Sequence, residues 1–139
     1  MNYDIQIFSA AIGGAIGWYI GNWDGFLCAL AAFVIIDYIT GIMCGINDKT
    51  LSSETGFRGI CRKVLIFLLV GMGNILDEQI FHTESLFRTA VIFFYLANEG
   101  ISITENAAHL GLPVPQKIVD ALEQLKDNGD KSKEDNKHE

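Results

Sequence analysis

The 139 residues would suffice for one ordinary core, but half of them are hydrophobic and the mean hydropathy is positive, at +0.27. The formal net charge is -7, and the charges sit in loops, in a polar carboxy-terminal stretch and, unusually, inside apolar segments. No clustered basic face is present, which excludes a nucleic-acid partner and leaves a chain built for lipid.

Met1, Asn2, Tyr3 and Asp4 lack the basic residues that open a secretory signal, so the first apolar segment is expected to stay in the protein. That segment, residues 5–20, holds 16 residues without a charge and closes on Trp18 and Tyr19, aromatic types that favour the headgroup level. At about 1.5 Å per residue it reaches roughly 24 Å against a hydrocarbon thickness of about 30 Å, so it is short for a span. Residues 25–46 form the longest apolar stretch, interrupted only by Asp37. The third run, 64–76, is shorter, and Ser52, Ser53, Glu54 and Thr55 supply the capping chemistry to start its helix earlier. The fourth, 86–103, carries Arg88 near one end and Glu99 near the other. Pro113 and Pro115 then punctuate the chain, and Ile118, Leu122 and Leu125 recur at helical spacing.

The expected fold is all-α: an integral membrane bundle in residues 1–112 with spans at about 5–20, 25–46, 60–78 and 86–103. Residues 113–127 form an amphipathic cytoplasmic helix and 128–139 a disordered charged tail. A three-span arrangement, with the first or third segment on the surface or dipping in, fits the same lengths. Lys49, Arg58, Arg62 and Lys63 make the loop at 47–63 basic, whereas 21–24 and 77–85 contain no Lys or Arg. The basic loop is therefore expected on the cytoplasmic side, with both termini.

Gly13, Gly17 and Gly21 recur at every fourth position, and Gly41 and Gly45 repeat the spacing on the second segment. Such faces let helices approach closely, either within one subunit or between copies. Asp37 must face protein or water, because an acid at the bilayer centre costs about 2.5 to 3.5 kcal/mol on insertion scales. It is either a buried acid paired with Arg58, Arg62 or Arg88 or a pore-lining group, and Thr40 and Cys44 extend its face. Tyr95, Asn98, Glu99, Ser102, Glu105, Asn106 and His109 give the fourth helix a polar stripe, which neighbours or an aqueous lumen must cover.

Cys28, Cys44 and Cys61 lack metal-ligand spacing and read as small packing residues, so no metal or cofactor is expected. His82 and His138 lie in stretches expected to be exposed, and no nucleophile and base can be paired, so the chain is not expected to be an enzyme. Gly13-Gly14 and Gly71-Met72-Gly73 lack a phosphate-loop continuation and read as helix-packing glycines.

The strings GFRGICRK at 56–63 and NEGISITENAAHLGLPVP at 98–115 resemble the phage-lysis and toxin-secretion holins, the TcdE-like holin family. Asp37-Tyr38-Ile39-Thr40-Gly41 and Ser53 with Arg58, Arg62 and Lys63 are similar to the same pattern, and the likeness covers about 25–122. The resemblance implies a small protein of the bacterial cytoplasmic membrane that oligomerises and opens lesions. An endolysin or protein toxin would then be an exported client and not a tight partner. It implies no catalytic residue. Rival readings of the same residues are a small ion channel or transporter, a membrane adaptor that recruits through its tail, and an antiholin.

Overall fold

The computed structural model describes residues 2–134, with side chains through Asp127. Five α-helices follow one another: α1 (Tyr3–Ile20), α2 (Gly25–Asn47), α3 (Ser53–Ile75), α4 (Leu86–His109) and α5 (Gln116–Glu134). Among the described residues there is no strand. Helix α3 continues without a break into a π-helical turn, Leu76–Phe81. Three helices are long and apolar enough to cross a membrane: α2, α3 with its π turn, and α4. The 18 residues of α1 are not among them, so length and hydropathy support the three-span form of the expected bundle.

The helix starts are set by local chemistry. Asp24 caps α2 by accepting the Leu27 amide at 2.9 Å, and Ser52 caps α3 by accepting that of Thr55 at 3.1 Å. The basic segment expected as a loop is thereby largely helical. Only residues 48–52 turn, with Lys49 at φ 56°, while Arg58, Arg62 and Lys63 lie on α3. The third span correspondingly covers 53–81, wider at both ends than 60–78. Helix α4 starts differently, because Ser85 has φ 64° and offers no side-chain cap. Asp77, on the π turn, replaces it and accepts the amides of Phe87 at 2.9 Å and Arg88 at 2.8 Å and the Thr83 hydroxyl. The π turn widens the helix at the point where Asp77 must reach across to its neighbour.

Leu27, Leu30 and Val34 of α2, Ile66 and Val70 of α3 and Ile92 of α4 form the dry core. It fills the half of the bundle next to Arg88. Gly71 and Gly73 let α3 approach its neighbours there: a Cβ at 71 would fall inside the Tyr19 ring, and one at 73 would stand 3.0 Å from the Arg88 backbone. The outside of the bundle is apolar, with Ile35, Ile39, Met43, Leu65, Leu68 and Met72 all exposed, as lipid contact requires.

Helix α1 departs from expectation. It buries no residue, and a Cβ at Gly13 or Gly17 would meet nothing within 4 Å, so the expected packing face is unused within the chain. Gly21 serves instead as the turn after α1, at φ 86° and against Asn74 and Arg88. Gly41 faces Asn106 and Gly45 faces Leu51, both within the chain. Cys28 and Cys61 are exposed and not packed, whereas Cys44 donates to the Asn106 carbonyl at 3.5 Å. Helix α5 runs past Asp127 to Glu134, into the stretch expected as a disordered tail; residues 135–139, with His138, lie outside the described ones.

Replacing Gly73 by Ala is expected to push α3 and α4 apart and to cost about 1 to 3 kcal/mol, as overpacking does. Thermal unfolding in detergent micelles checks this, with the open position Gly17→Ala as the control that should change little.

Candidate functional site

Three sets of polar and ionisable groups divide the bundle by depth. At one end Arg88 spends its side chain on the end of α1 and the following turn: Nε donates to the Ile20 carbonyl at 2.8 Å, one terminal nitrogen to the Asn22 carbonyl at 2.6 Å and the other to Asp24 at 2.7 Å. Asn74 adds bonds to the Trp18 and Tyr19 carbonyls, both at 3.3 Å. Carbonyls that α1 leaves open at its terminus are thus satisfied from α3 and α4. At the other end His109 of α4 meets Asp48 at 2.8 Å. Between Arg88 and His109 α4 rises about 31 Å at about 1.5 Å per residue, close to the thickness of a hydrocarbon layer.

The third set lies halfway. Lys63 of α3 donates from Nζ to both Asp37 of α2 and Glu99 of α4. Glu99 stands about 16 Å along its helix from Arg88 and about 15 Å from His109. The three side chains are only 10 to 17% exposed. Asn106 donates to the second oxygen of Asp37 at 3.2 Å and to Thr40 at 3.0 Å, and the Thr40 hydroxyl returns to the Ile36 carbonyl at 2.9 Å. Two acids thus share one ammonium, a net charge of -1 when all three are ionised. No buried side-chain polar atom among the described residues lacks a partner.

Beside this cluster, α3 stands away from α2 and α4 and leaves an open cleft of about 720 Å³. Arg62, Asn98, Ser102 and Thr55 line it together with the three charged groups. Tyr38 bridges its mouth, donating to the Gly56 carbonyl at 3.4 Å with its ring against Gly59.

The sequence singled out the acids but misassigned their partner. Asp37 pairs with none of Arg58, Arg62 and Arg88: Arg58 is held by Glu54 at 2.9 Å on the surface, Arg62 is exposed in the cleft, and Arg88 serves α1. By sequence Lys63 falls with the cytoplasmic basic loop, because charge near a span end reads as loop. Its position ten residues inside α3 follows from the Ser52 cap. Of the stripe on α4, Asn98, Glu99 and Ser102 reach the cleft and Asn106 reaches Asp37, while Glu105 is exposed and outside the cluster.

The family description of bacteriophage holins matches residues 14–127. The chain belongs to the bacteriophage holin family. Among similar proteins, one named a probable holin, from Bacillus phage phi105, is 39% identical over 100 residues, covering 72% of this chain and 73% of the relative. An uncharacterized 14.9 kDa protein in the nagH 3' region of Clostridium perfringens is 42% identical over 115 residues, covering 83% and 87%. An uncharacterized protein of Halalkalibacterium halodurans is 38% identical over 129 residues, covering 90% and 94%. No solved structure matches the chain. The family membership, with three helices long and apolar enough to cross a membrane, makes this holin-family protein a multi-pass membrane protein.

Two outcomes follow from the charge arrangement. Lys63→Met leaves both acids without a counter-charge and is expected to cost about 3 to 5 kcal/mol of bundle stability, most of it regained when Asp37→Asn and Glu99→Gln are added. Chemical unfolding in detergent measures both. Burial works to raise the pKa of Asp24, but the bonds from Arg88 and from the Leu27 amide outweigh it and hold the carboxyl below the usual value. A lowered folded pKa means that Asp24 stabilises the fold above its unfolded pKa of about 3.9, a contribution lost as the pH falls through the folded value. The stability gap between the parent and Asp24→Asn is therefore expected to be constant from neutrality to about pH 5 and to shrink below about pH 4.

Proposed function

We propose that this holin-family protein assembles in the bacterial cytoplasmic membrane and opens lesions that release an endolysin or a protein toxin. The observation that carries the reading is the group of three charged side chains at the centre of a family-member bundle. A helix bundle that only had to reside in lipid gains nothing from two acids and a lysine at that depth, and similar volumes of apolar side chain would be as stable or more so. Groups of this kind give the same helices a second arrangement, because polar faces that meet one another in a closed bundle can meet water in an open assembly. Glycine faces unused inside the chain, at Gly13 and Gly17, leave room for contacts between copies.

In this proposal Lys49, Arg58 and the carboxy-terminal lysines lie on the cytoplasmic side, and the amino terminus joins them if α1 also crosses. The client passes through without tight binding, and the chain performs no catalysis and needs no cofactor. A narrower reading is favoured by the cleft beside Asp37 and Glu99, which would suit a conduit for small cations inside one bundle. What passes separates the two.

Induced expression in a bacterium, with and without a cytoplasmic endolysin, tests the proposal by culture density and membrane potential. Abrupt lysis that needs the endolysin is expected. Ion leakage without endolysin release favours the narrower conduit, and indifference to any amount of the protein removes both. The double variant Asp37→Asn/Glu99→Gln, which leaves Lys63 unpaired, is expected to bring lysis forward at equal membrane abundance. Unchanged timing would separate the cluster from the opening step.

A further inference from the structure

After the turn at Pro113 and Pro115, α5 runs back along α4 and packs against it. Leu122 enters the notch that Gly100 leaves: a Cβ at Gly100 would stand 2.6 Å from a Leu122 methyl and 3.1 Å from the Phe33 ring. Gly100 follows Glu99 directly, so Leu122 lies at the midpoint of the bundle's depth. The face of α5 turned away from Leu122 is charged and exposed, with Asp120, Glu123 and Asp127 on it.

These charges differ in kind from the cluster at the same depth. Asp37, Lys63 and Glu99 point inward and are paired with one another. Those on α5 point away from the bundle, where a bilayer would offer hydrocarbon without water or counter-charge. A helix with Ile118, Val119, Leu122 and Leu125 on one side and charges on the other suits the headgroup level, its apolar stripe resting on the acyl boundary.

We propose that the apolar stripe of α5 has two partners, the face of α4 at Gly100 in the docked form and the lipid surface in the embedded one, and that insertion of the bundle releases the helix. Pro113 and Pro115 delimit the hinge, and Gly111, at φ 85° with open space around it, supplies the freedom to turn. The release exposes Gly100 and Phe33 at mid-depth. The inference needs the bundle to sit in a bilayer and does not need it to open one.

Disulfide closure tests this in the full chain with Cys28, Cys44 and Cys61 changed to Ser. One variant carries Gly100→Cys/Leu122→Cys, and the other carries Gly41→Cys/Asn106→Cys across α2 and α4, where a Cβ at Gly41 would stand 4.0 Å from the Asn106 amide nitrogen. In vesicles of phosphatidylethanolamine and phosphatidylglycerol with a membrane-permeant oxidant, the 41/106 pair is expected to close. The 100/122 pair should close about tenfold more slowly or less completely, as for a docked form reduced to a minor population. Equal closure of the two pairs overturns the release of α5. Failure of the 41/106 pair overturns it as well, because the depth of Leu122 rests on the packing of α2 against α4.

Discussion

One ammonium shared by two carboxylates at the centre of an apolar bundle is the constraint on which the other features depend. None of the three groups can be left unpaired at that depth, so α2, α3 and α4 must come together with Asp37, Lys63 and Glu99 in register. The dry core around Leu27, Leu30 and Val34 packs the half next to Arg88. In the other half charge and hydrogen bonding through Asn106 and Thr40 take over, and packing is loose enough to leave a cleft. The bundle is therefore tight at one end and open at the other, with the charges at the transition.

The two ends are also finished differently. Next to the core, Asp77, Asn74 and Arg88 bond to backbone atoms of other elements, which fixes the α3–α4 connection and the exit of α1 together. At the far end His109 bonds to Asp48, exposed, with the Asp48 carboxyl held below its usual pKa by the bonds from His109 and Asn47. A helix such as α3, anchored through Gly71 and Gly73 at one end and through Lys63 at its middle, has freedom mainly in its first turns. Those turns border the cleft.

Much of this was legible in the residues. The lengths of α2 and α4, the Ser52 start of α3 and the depth of Asp37 and Glu99 follow from hydropathy, capping chemistry and position. The pairing partner was not legible, because Lys63 belongs to a run of basic residues that a charge-counting rule assigns to a loop as a whole. A helical wheel from Ser53 would have set Lys63 on the face of Ile66 and Val70 and so toward the core. Arg88 was misleading for the opposite reason: besides Asp24, its partners are the Ile20 and Asn22 carbonyls, which leave no trace in side-chain spacing. The glycines of α1 promised a contact that one chain does not make, since small residues permit close approach without specifying who approaches.

The grip of Arg88 and Asn74 on the end of α1 has a consequence for biosynthesis. Both residues are translated long after the carbonyls they hold, and at about 5 to 20 residues per second the ribosome needs several seconds to reach them. Asp37 waits in the same way for Lys63 and Glu99. The amino-terminal third of the nascent chain thus leaves the ribosome with its polar groups unanswered, and α4, made late, delivers the side chains that close both ends of the account.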